Sequence, residues 1–172
     1  TTGINNVFIG MGAGDAQTTA NQNVAIGKDS MTSNAAGAKN VAIGTAAMAN
    51  FNTTTADTLN TCVGDHAGAS LTTGVENTLI GGIAGDALTD ADHNVAVGSY
   101  ALTGDTLGSR SVAVGHGTLT SQNFTTATNA YNVAMGYIAG NAITTGTENT
   151  LIGSQAGPVL TTGTTNVALG SQ

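Results

Sequence analysis

Three histidines, one cysteine and two glutamates are the side chains of this chain best suited to binding a metal or transferring a proton. A metal site brings several such ligands to one point, in many proteins through short, regular spacings. His66, His93 and His116 stand at three different places relative to the repeated motif described below, so no pattern gathers them. Cys62 is alone, which excludes an intrachain disulfide and a CxxC metal motif. We therefore predict no metal site and a buried core role for Cys62.

The sequence also gives no support for a catalytic acid–base pair or for a phosphate-binding loop. Glu76 and Glu148 each precede a copy of Asn-Thr-Leu-Ile-Gly and are separated by four repeats, so they do not predict a catalytic pair. The glycine-rich residues Gly10–Asp15 resemble a phosphate loop only in composition, because no helical pattern follows them. We expect a non-enzymatic protein with no catalytic, cofactor-binding or metal-binding residues, and no cofactor.

A five-residue motif, Asn-Val-Ala-Ile-Gly with small variations, organises the whole chain. Successive copies begin 17 residues after one another, except for two spacings of 20 and 21 residues. A fixed period of this length predicts stacked structural repeats. The copies begin at Asn6, Asn23, Asn40, Asn60, Asn77, Asn94, Ser111, Asn132, Asn149 and Asn166.

The motif has the pattern of a short strand that ends in a turn. Its branched aliphatic residues alternate with a middle residue, and its glycine stands where the chain must change direction. No apolar spacing of 3.6 residues extends between the copies. We predict an all-β, parallel β-solenoid, or β-roll, of about ten 17-residue coils with two short strands each, forming one domain over residues 1–172. Asparagines at equal coil positions should stack into a ladder of amide hydrogen bonds.

The middle residue of the motif is apolar in every copy, although one face of a solenoid strand meets water. We therefore place Val and Ile in the interior of each coil and expect the middle residues to face another chain. Self-matching surfaces of this kind are typical of homo-oligomers. The residues expected at this interface between chains are Phe8, Ala25, Ala42, Cys62, Leu79, Ala96, Ala113, Ala134, Leu151 and Ala168.

Composition excludes several classes of partner. Only 8% of the residues are charged and the net charge is −7, which disfavours nucleic acid and anionic membranes as partners. No apolar run approaches the roughly 20 residues that span a bilayer, so no membrane insertion is expected. The chain starts and stops part-way through a repeat, at Thr1–Gly3 and after Gly170, and we expect it to be a fragment of a longer fibre.

The repeat resembles the Asn-Ser-Val-Ala-Ile-Gly repeats of YadA-like trimeric autotransporter adhesin heads. Its longer form, with ENTLIGGIAG and LTTG, resembles repeat regions of bacteriophage tail fibres. The resemblance covers all ten coils. It implies a left-handed roll, an intertwined or side-by-side homotrimer, and an extracellular location on a cell or virion surface.

The two long spacings predict loop insertions near residues 48–59 and 119–131. Each begins with Asn-Phe and is rich in threonine. Insertions leave the stack of a solenoid and commonly form its binding face. Aromatic rings flanked by amides and hydroxyls suit a sugar, so Phe51, Asn52, Phe124 and Tyr131 are candidate residues for binding a receptor or glycan. The alternative is that both phenylalanines fold back to cover the roll or fill a gap between chains.

The sequence thus predicts a structural segment of an extracellular trimeric fibre, either a phage tail fibre or a bacterial adhesin, that acts as shaft and attachment module. The expected partners are other copies of the chain and a cell-surface glycan or receptor. Two alternatives stay open: a subunit that stacks end to end into an extracellular filament, and a glycan-binding module.

Overall fold

The computed structural model describes residues 2–54 and 57–172 of the chain. Twelve strands and no helix occur in this part of the chain, so the predicted all-β class is confirmed. No described segment forms a helix of the length and hydropathy needed to cross a membrane. Thr1, and Thr55 and Ala56 of the first predicted insertion, lie outside the described residues.

One strand of three residues forms at each copy of the motif, and the ten strands make one parallel sheet. They are β1 (Val7–Ile9), β2 (Val24–Ile26), β3 (Val41–Ile43), β4 (Thr61–Val63), β5 (Thr78–Ile80), β6 (Val95–Val97), β8 (Val112–Val114), β10 (Val133–Met135), β11 (Thr150–Ile152) and β12 (Val167–Leu169). Each pairs with the next coil in register, as in Val24↔Val41 and Ala25↔Ala42. The chain is therefore a parallel β-solenoid in which like residues stack on like, as predicted.

The predicted second strand of each coil is wrong for most of the molecule. Among the described residues, only β7 (Gly108–Ser109) and β9 (Thr128–Asn129) form a second strand pair, beside the second insertion. Elsewhere, residues with φ between +48° and +72° recur two and four places after the motif glycine, which prevents an extended strand. The backbone still bonds from coil to coil there: the Gly68 N–H donates to the Ala84 carbonyl at 3.0 Å.

We number coil positions from the motif asparagine, position 1, to position 17 in a regular coil. The asparagines form the predicted ladder: the Asn77 N–H donates to Oδ1 of Asn60 at 2.9 Å, and the Asn94 N–H donates to Oδ1 of Asn77 at 2.9 Å. The Asn77 side-chain amide also donates to the Ala91 carbonyl of its own coil at 2.7 Å. A buried asparagine such as Asn77 thus makes a hydrogen bond within its own coil and further hydrogen bonds to the neighbouring coils. The hand of the coil stays a prediction.

Threonine at position 13 adds a further link along one edge of the stack. The Thr72 hydroxyl donates to the Thr89 carbonyl at 3.1 Å, and the Thr89 hydroxyl donates to the Thr106 carbonyl at 3.1 Å. The Thr-Thr-Gly sequence is therefore more than a turn signal, because its first hydroxyl binds the coil that follows.

Candidate functional surfaces

The middle residues of the ten strands point into the coil, which reverses the predicted assignment of the two strand faces. In all but the end coils they have at most 1% of their surface exposed within the single chain. They form the hydrophobic core with the small residue at position 8 and with positions 9 and 12. The residues affected are Ala25, Ala42, Cys62, Leu79, Ala96, Ala113, Ala134 and Leu151, with Phe8 and Ala168 in the more open end coils.

These middle residues therefore cannot form the trimer interface predicted for them, because their own coil already covers them. The physical reason is the narrow interior: beside Ala134 and Gly140, Leu119 and Leu151 of the neighbouring coils fill the space. In four other coils an alanine at position 3 accompanies a large residue at position 9. Ala96 is paired in this way with Leu102, whereas Leu79 is paired with Gly85. A Cβ at Gly85 would lie 2.8 Å from Leu79 Cδ2, so the two positions share one volume.

The motif glycine is required for two separate reasons. Gly81 has φ of +137°, a region that residues with a Cβ rarely adopt. A Cβ at Gly81 would also lie 2.5 Å from the backbone carbonyl group of Gly98 in the next coil. The same stacking of glycine on glycine recurs from Gly10 to Gly170. Close backbone contact between coils at this corner depends on the missing side chain.

The first and third residues of the ten main strands point outward, and we call this surface the outer sheet face. It contains only Val, Ile, Thr, Met and Leu, and no charged residue. Val7 and Ile9 in the first coil and Val167 and Leu169 in the last coil are exposed. The chain therefore presents a continuous apolar strip along one side of the stack.

The two insertion phenylalanines are buried, which contradicts their predicted role in binding a receptor or glycan. Phe51 is fully buried at coil position 12, which is leucine in three other coils, and Phe124 is only 6% exposed. Each covers a glycine of the preceding coil: a Cβ at Gly37 would lie 2.5 Å from Phe51, and a Cβ at Gly108 would lie 2.8 Å from Phe124. The alternative, that both rings pack against the roll, is correct.

Asn52 and Tyr131, the other two candidate binding residues, are exposed but belong to coils four apart. Tyr131 precedes a motif asparagine and has φ of +51°, so it lies at a corner of the coil. The structure brings neither residue next to a phenylalanine face that a sugar could reach. The four predicted residues therefore do not form one site.

An aromatic ladder that the sequence did not predict follows the motif glycine in three successive coils. Tyr100 and His116 have ring centroids 5.8 Å apart in an edge-to-face arrangement, and His116 stacks on Tyr137 at 5.6 Å. All three side chains are exposed. Their coil positions, 7, 6 and 6, could have revealed them, because exposed rings one coil apart must contact each other.

In the described part of the chain, several titratable residues form pairs at the surface. No group of three or more His, Cys, Asp or Glu residues that could hold a metal occurs among the described residues, and no pocket is found there. His66 contacts Asp65 at 2.9 Å and His93 contacts Glu76 at 3.3 Å, both at the surface. Cys62 is fully buried, as predicted, and its burial raises the pKa of the thiol far above its ordinary value.

In comparisons with known proteins, no protein-family model, no curated protein and no solved structure matches this chain.

Proposed function

We propose that this chain is a non-enzymatic structural segment of an extracellular fibre in which three parallel copies form the shaft. The observation that carries the proposal is the repetition of the same contacts at the junctions between ten coils. Strand pairing occurs at every junction, and the asparagine ladder and the glycine contact recur along the stack. At about 4.8 Å per coil, the stack is roughly 43 Å long.

The proposed extracellular location of the fibre is based on the sequence. The repeat resembles those of YadA-like adhesin heads and phage tail fibres, which supports a cell or virion surface. Low charge and the absence of a basic surface favour neither nucleic acid nor anionic membrane as a partner. A glycan or receptor at a cell surface remains the proposed target of the attachment function.

The surface proposed for attachment is the aromatic ladder rather than the insertions, because Phe51 and Phe124 are buried. Tyr100 and Tyr137 are 45% and 55% exposed, and a tyrosine ring with its hydroxyl can contact the apolar and polar parts of a sugar. A glycan array should lose signal with Tyr100→Ser/Tyr137→Ser and keep it with Tyr131→Ser, the matched exposed tyrosine. Equal loss in both variants, or no binding by the unmodified chain, would contradict the attachment role.

The shaft role is tested by the shape and mass of the chain in solution. Light scattering coupled to size-exclusion chromatography should give three times the mass of one chain, independent of concentration. Small-angle scattering should give an elongated particle about 43 Å long or longer. A monomer at all concentrations up to the millimolar range would contradict the proposal.

End-to-end stacking is the second candidate, and the end strands favour it. β1 and β12 each pair with one neighbour only, so both present free backbone groups to a further strand. This alternative predicts polymers that lengthen with concentration. Placing a proline at Val167 should shorten them by removing a donor from the β12 edge, because the equivalent Thr150 N–H donates to the following coil.

A further inference from the structure

Each of the two insertions contains an exposed asparagine that stands two residues before an exposed threonine. The first is Asn52, which precedes Thr54, and the second is Asn123, which precedes Thr125. Asn-x-Thr or Asn-x-Ser, with any middle residue except proline, is the sequence to which N-linked sugars are attached. In the full sequence these are the only two places where Ser or Thr stands two residues after an asparagine.

The side-chain nitrogens of both asparagines are free, unlike those of the ladder. Among the described residues, the Asn52 side chain makes no hydrogen bond. Asn123 uses only its oxygen, because Oδ1 accepts from the Thr106 hydroxyl at 3.0 Å. The ladder residue Asn60 shows the contrast: it is fully buried, and its Nδ2 donates to the Gly74 carbonyl at 2.8 Å. A reagent in solution can therefore reach the two insertion amides and not those of the ladder.

The two asparagines also occupy the same place in their coils. Both stand at position 13, four coils apart, which puts them roughly 19 Å from each other along one edge of the stack. The Asn52 N–H donates to the Thr72 carbonyl at 3.0 Å, and the Asn123 N–H donates to the Thr144 carbonyl at 2.9 Å. Position 13 is commonly a threonine whose hydroxyl binds the next coil, so each insertion replaces an internal link by an exposed amide.

We propose that Asn52 and Asn123 are attachment sites for N-linked sugars, which an asparagine glycosyltransferase adds from a glycosyl diphosphate donor. The side-chain nitrogen forms a bond to the anomeric carbon of the sugar and loses one proton to a base of the transferase. The bond from that carbon to the phosphate oxygen of the donor breaks, and its electron pair leaves with the diphosphate. The inference rests on the proposed extracellular location and adds a covalent modification to the shaft.

The first test is peptide mass spectrometry of the chain isolated from its natural fibre. Peptides that contain Asn52 and Asn123 should carry sugar masses, and peptide N-glycosidase should remove the sugars and convert both residues to aspartate. Sugar at only one residue supports that site and overturns the other. Sugar-free peptides at both residues overturn the proposal, and the fibre role still stands if the chain remains an elongated trimer in solution.

A second test asks whether the fold selects these residues. The folded chain is incubated with a soluble asparagine glycosyltransferase and its nucleotide-sugar donor, and the sugars are counted from the intact mass. The unmodified chain should gain two sugars, whereas Thr54→Val and Thr125→Val should each gain one, with circular dichroism unchanged. A folded chain that gains no sugar overturns the proposal.

Cys62→Ser is the matched control, because it creates an Asn-x-Ser sequence at the buried Asn60. The folded variant should gain two sugars and no third, although a free peptide of residues 57–67 with the same substitution should be modified. A third sugar on the folded variant overturns the role of exposure. If this variant does not fold, Tyr131→Thr provides the opposite control: it creates Asn-x-Thr at the exposed Asn129 and should gain a third sugar. Absence of that sugar overturns the same role.

Discussion

Two stretches of the molecule provide hydrogen-bond partners for their interior polar groups in different ways. We call residues 60–93 the regular stretch and residues 94–131 the interrupted stretch. The regular stretch begins each coil with asparagine and places Leu71 and Leu88 at position 12. The interrupted stretch has Ser111 in place of an asparagine, and Asp105 and Gln122 at position 12. All three of these polar side chains are fully buried. The same architecture therefore accepts two different interiors.

Gln122 replaces the missing asparagine by reaching across the coil. Its Nε2 donates to Asp105 Oδ2 at 2.6 Å and to Ser111 Oγ at 2.9 Å. Its Oε1 accepts from Asn132 Nδ2 at 2.8 Å. The Asp105 carboxylate also accepts from the Gly108 N–H and the Phe124 N–H. In this coil the buried polar side chains thus find partners without the asparagine that the other coils use.

The largest expected effect concerns the feature that both stretches share. Gly81→Ala in the regular stretch and Gly115→Ala in the interrupted one should each lower the free energy of unfolding by at least about 3 kcal/mol. The added Cβ would collide with the next coil's backbone and would force an unfavourable φ. Urea unfolding followed by circular dichroism measures the loss.

Gly82→Ala is the control for this prediction, because a Cβ there would meet only Ser99 Oγ at 3.7 Å. It should change stability by less than about 0.5 kcal/mol. A tolerated Gly81→Ala would show that the coils are farther apart than described.

The next effect tests how the regular stretch fills its interior. Leu79→Ala should cost about 3 kcal/mol by leaving a cavity beside Gly85. Adding Gly85→Leu should recover at least half of this loss, because the coil of Ala96 and Leu102 already uses that pair at φ of +55°. Thermal unfolding of the single and double variants measures the recovery. A double variant less stable than the single one would restore the idea that middle residues face outward.

Two glutamines at position 12 give a smaller, matched pair of effects. Gln122→Leu should cost about 2 kcal/mol, because the buried Asp105 carboxylate loses a donor. Gln17→Leu should instead stabilise by about 1 kcal/mol, because the buried amide of Gln17 has no hydrogen-bond partner. Urea midpoints of the two variants should therefore move in opposite directions. Shifts of the same sign would mean that hydrogen bonding does not distinguish the two glutamines.

The last effect concerns Cys62 in the regular stretch; it is absent near neutral pH and appears only at alkaline pH. Burial raises the pKa of the Cys62 thiol, so above about pH 8.5 the unfolded chain releases a proton that the folded chain retains. Its contribution to stability is complete below that pH and is lost as pH rises, by up to about 1.4 kcal/mol per pH unit. The difference in unfolding free energy between the unmodified chain and Cys62→Ala should shrink or reverse from pH 8 to 10.

Six other coils carry alanine at the position of Cys62, so Cys62→Ala should fold normally at pH 7. A difference independent of pH between 8 and 10, or rapid reaction of Cys62 with a thiol reagent in the folded chain, would show that the thiol is accessible.

The coils, their register and the asparagine ladder were predictable because each depends on the period alone. The strand faces were not, because Val, Ile and Ala are all apolar and alternation does not say which side is inside. A signal was present in most coils: Phe8, Leu79 and Leu151 at position 3 accompany a glycine at position 9, and alanine accompanies Met or Leu in four coils, as in Ala42 with Met48. The coils of Cys62 and Ala134 depart from it, because these smaller residues also accompany glycine. When a large side chain at one position accompanies a small one at the other, the two positions must lie in the same interior.

The corners of the coil were the other part that sequence reasoning missed. The residue before each motif asparagine has φ between +51° and +63°, and this position includes Leu59, Arg110 and Tyr131. None of these residue types favours that conformation on its own. Contacts with the neighbouring coils impose it, so no local pattern could reveal it. The buried insertion phenylalanines have the same origin, because each covers a glycine of the preceding coil rather than of its own.

The parallel stacking of coils also determines how the rod would respond to a pulling force along its axis. Strands lie across the axis, so tension would detach one coil at a time from the end instead of shearing all hydrogen bonds at once. A detached coil of 17 residues extends to roughly 58 Å, about twelve times the 4.8 Å that it occupied. Single-molecule stretching would then show a sequence of small, nearly equal steps, and a fibre built this way would lengthen under load before it broke.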